Sequence, residues 1–267
     1  MRSAVTITLL PEAKAGPFVF ADLREGCRAA KDLGFDGIEI FPPSAEAVRE
    51  AIPVLREHGL PLAAVGTGGG AVRHKLSLTH PDRDNRERAR EFVRSLIDVA
   101  AESGASAIVG SMQGSWTEFD RELTLRLLAN SINKLGDYAE SRGVLLLYEP
   151  LNRYETNLLN TLADAAGFLG QRATRNVRIL VDLFHANIEE ADMAASIRAH
   201  ARYVGHVHWA DSNRRAAGLG HTDFAPIAAA LRDSGYGGYI SAEVFPLPDP
   251  QSAARHTIES FRKHFPR

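Results

Sequence analysis

The chain has 267 residues, 45% hydrophobic and 24% charged, with a formal net charge of −2. That balance is ordinary for a soluble globular chain, and it offers no basic field for nucleic acid or an anionic membrane surface. The single cysteine, Cys27, excludes an internal disulfide, and no apolar run approaches a membrane span. Cys27 shares one face of a helical pattern with Leu23 and Ala30 and reads as a buried small hydrophobe. The opening MRSAVTITLLPEAKAG is interrupted by Pro11, Glu12 and Lys14, so it reads as a strand rather than a leader, and the expected setting is cytoplasmic.

Residues 3–9 form the first expected strand. A helix over 22–33 follows, capped by Asp22 and ended by Gly34. Residues 36–40 (DGIEI) are the second strand. The next helix must start or break near Pro53, because proline is tolerated in a first turn but not in a helix interior, and it ends at His58-Gly59. Residues 61–65 are the third strand, followed by a long loop over 66–82, GTGGGAVRHKLSLTHPD; long loops in compact domains are often functional.

A helix over 81–103 places Ala89, Phe92, Val93, Leu96, Ile97 and Ala100 at helical spacing, with its arginines on a solvated face. Then come a strand at 105–110, a polar SMQGSW loop, and a helix to about 142. The fifth strand, VLLLY at 144–148, lies between Gly143 and Pro150 and delivers Glu149 to its C-terminal end. Beyond it the pattern gives a helix at 161–170, a strand at 177–182, a short helix at 192–200 and a strand at 203–209. The loop DSNRRAAGLGHTDF, a helix at 226–233, a strand at 238–243 and a helix to about 264 complete the chain. Eight strand–helix units of roughly 33 residues predict an α/β fold, a single-domain (β/α)₈ TIM barrel over residues 1–267. A doubly wound open sheet is the runner-up. No glycine fingerprint follows the first strand, and Gly66, Gly68, Gly69 and Gly70 lack the GxGxxG spacing.

Four consecutive strands end in a possible metal ligand: Glu149, Asp182, His208 and Glu243, at intervals of 33, 26 and 35 residues. In a barrel those ends line one side of one mouth. Three carboxylates there repel one another unless a cation or protons neutralise them. Oxygen-rich ligands with one imidazole suit Mn²⁺, Mg²⁺ or Co²⁺, with Zn²⁺ also possible. Singly, each residue has an ordinary structural explanation; Asp182 could cap a helix and His208 could be a satisfied core histidine. Together, in phase, they point to one metal site.

Three further residues fall near that mouth. His185 lies three residues past Asp182, Arg214 follows the seventh strand and could clamp substrate oxygens, and Glu155 could instead pair with Arg153. His206 shares the inward parity of His208 one layer deeper and reads as a hydrogen-bonded core histidine. Glu39, at the end of DGIEI, lines the same cavity without an assigned role.

The segments EPLNRYETN (149–157), DLFHANIEE (182–190), GHVHWADSNR (205–214), GHTDF (220–224) and SAEVFPLP (241–248) resemble the xylose-isomerase-like barrel superfamily of sugar isomerases and epimerases. AVGTG (64–68) and LSLTHPD (76–82) extend the resemblance, which is closest to ketose 3-epimerases of the D-tagatose 3-epimerase and 5-keto-L-gluconate epimerase type. The resemblance implies that Glu149, Asp182, His208 and Glu243 hold one divalent metal, usually Mn²⁺. It also implies that Glu149 and Glu243 exchange the substrate proton, and that Glu155, His185 and Arg214 contact the first two oxygens of the ketose. A homo-oligomer, dimer or tetramer, is implied too, with a small sugar as substrate and no nucleic-acid or membrane partner. The glycine-rich stretch 67–75 matches less clearly, at the part expected to meet the far end of the sugar.

The chemistry agrees with that expectation. Removing a proton beside a carbonyl creates an enediolate, which a chelated metal stabilises as a Lewis acid, while epimerisation needs a base on one face of the carbon and an acid on the other. The expected function is therefore a divalent-metal-dependent epimerase of a ketose or keto-sugar acid. An aldose–ketose isomerase such as a hydroxypyruvate isomerase is the nearest alternative. An endonuclease IV-like nuclease would need more histidines and a basic groove, and a non-catalytic sugar-binding protein would not need the filled ligand set.

Overall fold

The computed structural model describes residues 1–117, 120–172 and 176–266. Strand and helix alternate along the chain: β1 (Arg2–Thr8), α1 (Leu23–Leu33), β2 (Gly37–Phe41), α2 (Ala45–Glu57) and β3 (Leu62–Gly66). Next are α3 (Gly69–His74), α4 (Arg83–Ser103), β4 (Ser106–Val109), α5 (Arg121–Ser141) and β5 (Leu146–Tyr148). The rest comprises α6 (Leu162–Arg172), β6 (Val177–Asp182), α7 (Leu183–Glu189), α8 (Met193–Ala199), β7 (Val204–His208), α9 (Phe224–Asp233), β8 (Tyr239–Ala242) and α10 (Pro250–His264). Every strand pairs in parallel with its sequence neighbour, and β8 returns to β1, closing the (β/α)₈ barrel expected from the alternation.

Two cores follow from the pleat. Residues on the outer strand faces, such as Val5, Ile7, Val65, Ile179 and Val207, pack beneath the helices. The inner faces form a small plug of Ala64, Ile108, Leu147 and Leu180. Because side chains alternate, Glu149 and Asp182 lie two residues beyond Leu147 and Leu180, on the same inward face and one layer nearer the C-terminal mouth. The register pairs Asp182 with His208 and Leu180 with His206, which puts His206 one layer below His208.

Several boundaries differ from the sequence expectation. α2 neither starts nor breaks at Pro53 but begins at Ser44, whose hydroxyl accepts from the Ala47 N–H, and runs through the proline. Pro53 and Arg49 lie on the solvent face, so the Arg49 carbonyl released by the missing N–H faces water. Burial of Val48, Ala51, Val54 and Leu55 on the opposite face outweighs the proline penalty. The loop at 66–82 contains α3, and DLFHANIEE is not plain loop, since Asp182 opens α7. β5 begins at Leu146, two residues later than expected. Among the described residues, no helix is long and apolar enough to cross a membrane.

Candidate metal centre and sugar pocket

β5 stops at Tyr148, and Glu149 follows with its backbone N–H still bonded to the Val109 carbonyl at 3.0 Å. Gln113, on the loop after β4, fixes this corner. Its amide nitrogen donates to the Glu149 carbonyl (2.9 Å) and the Gly110 carbonyl (3.1 Å), and its amide oxygen accepts from the Tyr148 hydroxyl. Gly110 leaves room for the acid: a Cβ there would lie 2.3 Å from Glu149 Oε2. Glu149 is therefore buried with its carboxylate held into the barrel mouth.

Asp182 ends β6 and begins α7. One carboxylate oxygen accepts from the Phe184 N–H at 2.7 Å, while Oδ2 is buried without a hydrogen-bond partner. The expected capping role is thus real, and it consumes only half of the carboxylate. One turn along α7, His185 Nδ1 accepts from the side-chain amide of Asn152 (2.7 Å) and from its backbone N–H (3.3 Å). Nε2 then carries the proton, and it is buried, unpartnered and 3.8 Å from both Glu149 Oε1 and Asp182 Oδ2. Burial holds the His185 imidazole below its ordinary range, which favours this neutral tautomer.

His208 ends β7 and Glu243 stands one residue past β8. His208 Nδ1 is buried, has no hydrogen-bond partner, and lies 3.5 Å from Asp182, 3.6 Å from Glu243 and 3.8 Å from Glu149. One ligand atom from each of Glu149, Asp182, His208 and Glu243 lies within 4.8 Å of all the others. Arg214 reaches in from the loop after β7, where its φ of 57° places it in the left-handed region. Its guanidinium donates to Glu243 at 2.5 Å, approaches Asp182 at 3.6 Å and Glu155 at 3.5 Å, and lies over the Phe184 ring.

The electrostatics describe an unmet demand for positive charge. Burial and the neighbouring Glu243 carboxylate push the Glu149 carboxyl well above its ordinary range. Burial alone would lower the His208 imidazole, but the Glu39 and Glu243 carboxylates outweigh it and hold the ring well above its usual value. Asp182 moves the other way; burial opposes its charge, yet His185, His208 and Arg214 together pull it below the usual carboxylate range. Three convergent carboxylates, an imidazole nitrogen without a partner and a carboxylate oxygen without a partner fit a divalent cation bound mainly by oxygen.

The cavity over this cluster has a volume of about 430 Å³. Glu149, His208, Glu243, His185, Arg214 and Glu155 line one part of it. Glu12, Pro17, Phe18, Phe41, Thr67, Val72 and Ser111, from β2 and the segments after β1, β3 and β4, line much of the rest. Phe18 and Phe41 stack with ring centroids 4.5 Å apart. Among the described lining residues Arg214 is the one arginine or lysine, and carboxylates already engage it.

The structure thus brings together all seven residues named from the sequence. Arg153 does not pair with Glu155; it binds Glu189 at 2.9 Å, leaving Glu155 to accept from Asn152 (3.1 Å). His206 is the hydrogen-bonded core histidine expected, with Glu39 as partner. Sequence reasoning missed Gln113, Gly110, Asn152 and Asp211. Asn152 had a local signal, since its side-chain oxygen closes an Asx turn onto the Tyr154 N–H, two residues on, at 2.9 Å.

The chain is 30% identical over 258 residues to 3-dehydro-D-guloside 4-epimerase of Escherichia coli, covering 90% of this chain and 94% of that one. It is 32% identical to a ketose 3-epimerase of Arthrobacter globiformis, covering 86% of this chain and 80% of the relative. These relatives are sugar epimerases, enzymes of the isomerase class. The crystal structure of 3-keto-D-glucoside 4-epimerase from E. coli superposes with a TM-score of 0.83 at 25% identity, covering 98% of this chain and 99% of that one. Residues 27–264 match the family described as xylose isomerase-like TIM barrel, and the chain belongs to that family.

Proposed function

We propose that the chain is a divalent-metal-dependent epimerase that inverts a carbon next to the carbonyl of an uncharged keto-sugar. The observation that carries this reading is the convergence of Glu149, Asp182, His208 and Glu243 on one point at the floor of a sugar-sized cavity. Those four residues would hold the ion, with Mn²⁺ the first choice and Mg²⁺, Co²⁺ and Zn²⁺ beside it. A cation there supplies Lewis-acid stabilisation to negative charge on the sugar oxygens, typically worth several kcal/mol.

The chain's own groups perform the proton chemistry. Glu149 and Glu243 come from strands three positions apart around the rim and approach the bound sugar from different sides. One takes the proton from the carbon, giving an enediolate, and the other returns a proton to the opposite face. Which acts first depends on which epimer is bound. His185 donates from Nε2 and Arg214 from its guanidinium to the sugar oxygens where charge develops. Glu155 and Asn152 hold these two donors in place; Asn152 fixes the tautomer of His185, and Glu155 lies against Arg214.

The lining argues for the kind of sugar. With the Arg214 guanidinium engaged, the described lining offers no free arginine or lysine to a phosphate or to the carboxylate of a sugar acid, which favours a neutral ketose or keto-glycoside over a keto-sugar acid among the substrates expected from the sequence. The names of the relatives cover both neutral classes. The test is a panel of free ketoses, 3-keto-glycosides, 5-keto-gluconates and ketose phosphates, incubated with Mn²⁺ and read by product identity. Solvent deuterium should enter the inverted carbon. Glu149→Gln and Glu243→Gln should each abolish turnover and weaken Mn²⁺ binding; wild-type epimerisation by either variant sinks the two-base assignment. An aldose product would replace epimerisation with isomerisation.

A further inference from the structure

Glu39 on β2 lies on the inward face beneath the metal cluster, paired in register with Thr6 and Ala64 and only 4% exposed. A carboxylate inside a barrel is costly unless its oxygens are bonded. Both are: Oε1 lies 3.0 Å from His208 Nε2 and Oε2 lies 2.8 Å from His206 Nε2. No arginine or lysine is among these partners. Glu39, His206 and His208 could themselves be read as a cation site, since their ligand atoms are close enough. Their ligand atoms are instead spent on one another, and His208 is shared with the larger cluster.

We propose that Glu39 is a positioning residue that fixes the tautomer of His208, with His206 holding Glu39 from the other side. A carboxylate only accepts hydrogen bonds, so each imidazole must present Nε2–H to it. In the neutral ring, the form that can ligate a metal, His208 is then left with its lone pair on Nδ1, the atom that is buried, unpartnered and within 3.5–3.8 Å of Asp182, Glu243 and Glu149. His206 makes the arrangement unambiguous. It occupies the second oxygen, so Glu39 is satisfied only when both oxygens accept, and its ring stands at 84° to that of His208 with centroids 5.5 Å apart. The inference rests on the metal reading of the site and adds how the imidazole ligand is aimed.

Replacing Glu39 by glutamine keeps the shape and removes this uniformity. The amide can accept from one histidine, but it must donate to the other, which has to switch its proton to Nδ1. Two measurements test the proposal. Mn²⁺ affinity is measured by calorimetry without substrate; Glu39→Gln should bind roughly 10- to 100-fold more weakly, the usual effect of losing a partner behind a ligating histidine. Histidine ¹⁵N spectra of the wild-type protein loaded with diamagnetic Zn²⁺, assigned with a His208→Asn control, should show His208 protonated on Nε2 and metal-bound through Nδ1. The second measurement reads the wild-type protein and does not depend on Glu39→Gln folding. Wild-type Mn²⁺ affinity in folded Glu39→Gln, or a His208 bound through Nε2, overturns this inference alone. If the wild-type protein binds no divalent ion, the metal reading falls and this inference with it.

Discussion

Asp211 is the residue on which the active-site loop after β7 depends most. It is fully buried, and Oδ1 accepts from the Ser212 N–H (2.7 Å), the Thr222 N–H (3.1 Å) and the Ser212 hydroxyl (3.2 Å), while Oδ2 accepts from the Gly218 N–H (2.8 Å). Its backbone closes the turn that presents Arg214: the Arg214 N–H donates to the Asp211 carbonyl at 2.8 Å, and the Asp211 N–H donates to the Arg215 carbonyl at 3.0 Å. In Asp211→Asn the amide nitrogen has one tolerable place, opposite Gly218, where donor faces donor. One charge-assisted bond is lost and the others become neutral, a destabilisation of about 2 kcal/mol. For a chain of this size that lowers Tm by roughly 4–8 °C.

The effect on stability depends on pH with a definite sign. Burial opposes the Asp211 charge, but the N–H groups of Thr222, Ser212, Gly218 and Gly220 outweigh it and hold the carboxyl below its ordinary range. A depressed folded-state pKa contributes stability that is complete above the unfolded value, near 4, and is lost as pH falls through the folded one. Thermal unfolding by circular dichroism should therefore show the full gap between wild type and variant at pH 7 and a shrinking gap below about pH 4. Epimerase kcat/KM should also fall, because the left-handed turn at Arg214 loosens. A Tm unchanged at pH 7, with kinetics also unchanged, would refute the assignment of Asp211 as the loop's anchor.

Three other outcomes follow from the same geometry. Gly110→Ala places a Cβ 2.3 Å from Glu149 Oε2, and the carboxylate, as the movable end of a side chain, gives way; Mn²⁺ affinity should fall at least about tenfold with the fold intact, as 1.4 kcal/mol of displaced ligand implies, and an unchanged Kd contradicts it. Adding Mn²⁺ to the metal-free protein should raise Tm, by about 2.7 kcal/mol of added stability at 100 times Kd, and a chelator should reverse the rise; no shift with Mn²⁺, Mg²⁺, Co²⁺ or Zn²⁺ argues against a metal centre. Burial pushes the Cys27 thiol up to about 11, so a thiol reagent at pH 8 should label the urea-unfolded chain quickly and the native chain only slowly; equal rates would place Cys27 at the surface.

The candidate ligand set was legible in the sequence because of how a barrel is built. One inward residue at the end of each strand, repeated every strand–helix unit, leaves a periodic trace, and Glu149, Asp182, His208 and Glu243, the proposed ligands, carry it. His185 and Arg214 stood close enough in sequence to those ends to be noticed. Gln113 and Gly110 left no such trace. Their importance is a contact with Glu149 across the β4–β5 pairing, 36 and 39 residues away in the chain. Glu39 was seen as an inward residue, but its partners lie 167 and 169 residues further along, so only closure of the barrel gave it a role. The error at Pro53 has a different origin. Local propensity was judged without knowing that the released carbonyl would face water and that four apolar side chains would be buried on the other side.

The rim is divided between two halves of the chain. Apart from Glu12 and Glu39, the charged lining groups arise from β5 through β8, while Phe18, Phe41, Thr67, Val72 and Ser111, which shape much of the rest of the cavity, arise from β1 through β4. Under the proposed function, much of the wall that would meet the far end of the sugar and the groups that would move its proton are therefore carried on separate stretches of polypeptide. Loops at the ends of β1 and β3 contribute none of the four proposed metal ligands. A small library of grafts of these loops on an unchanged C-terminal half would retune which sugar is accepted while keeping the reaction the same.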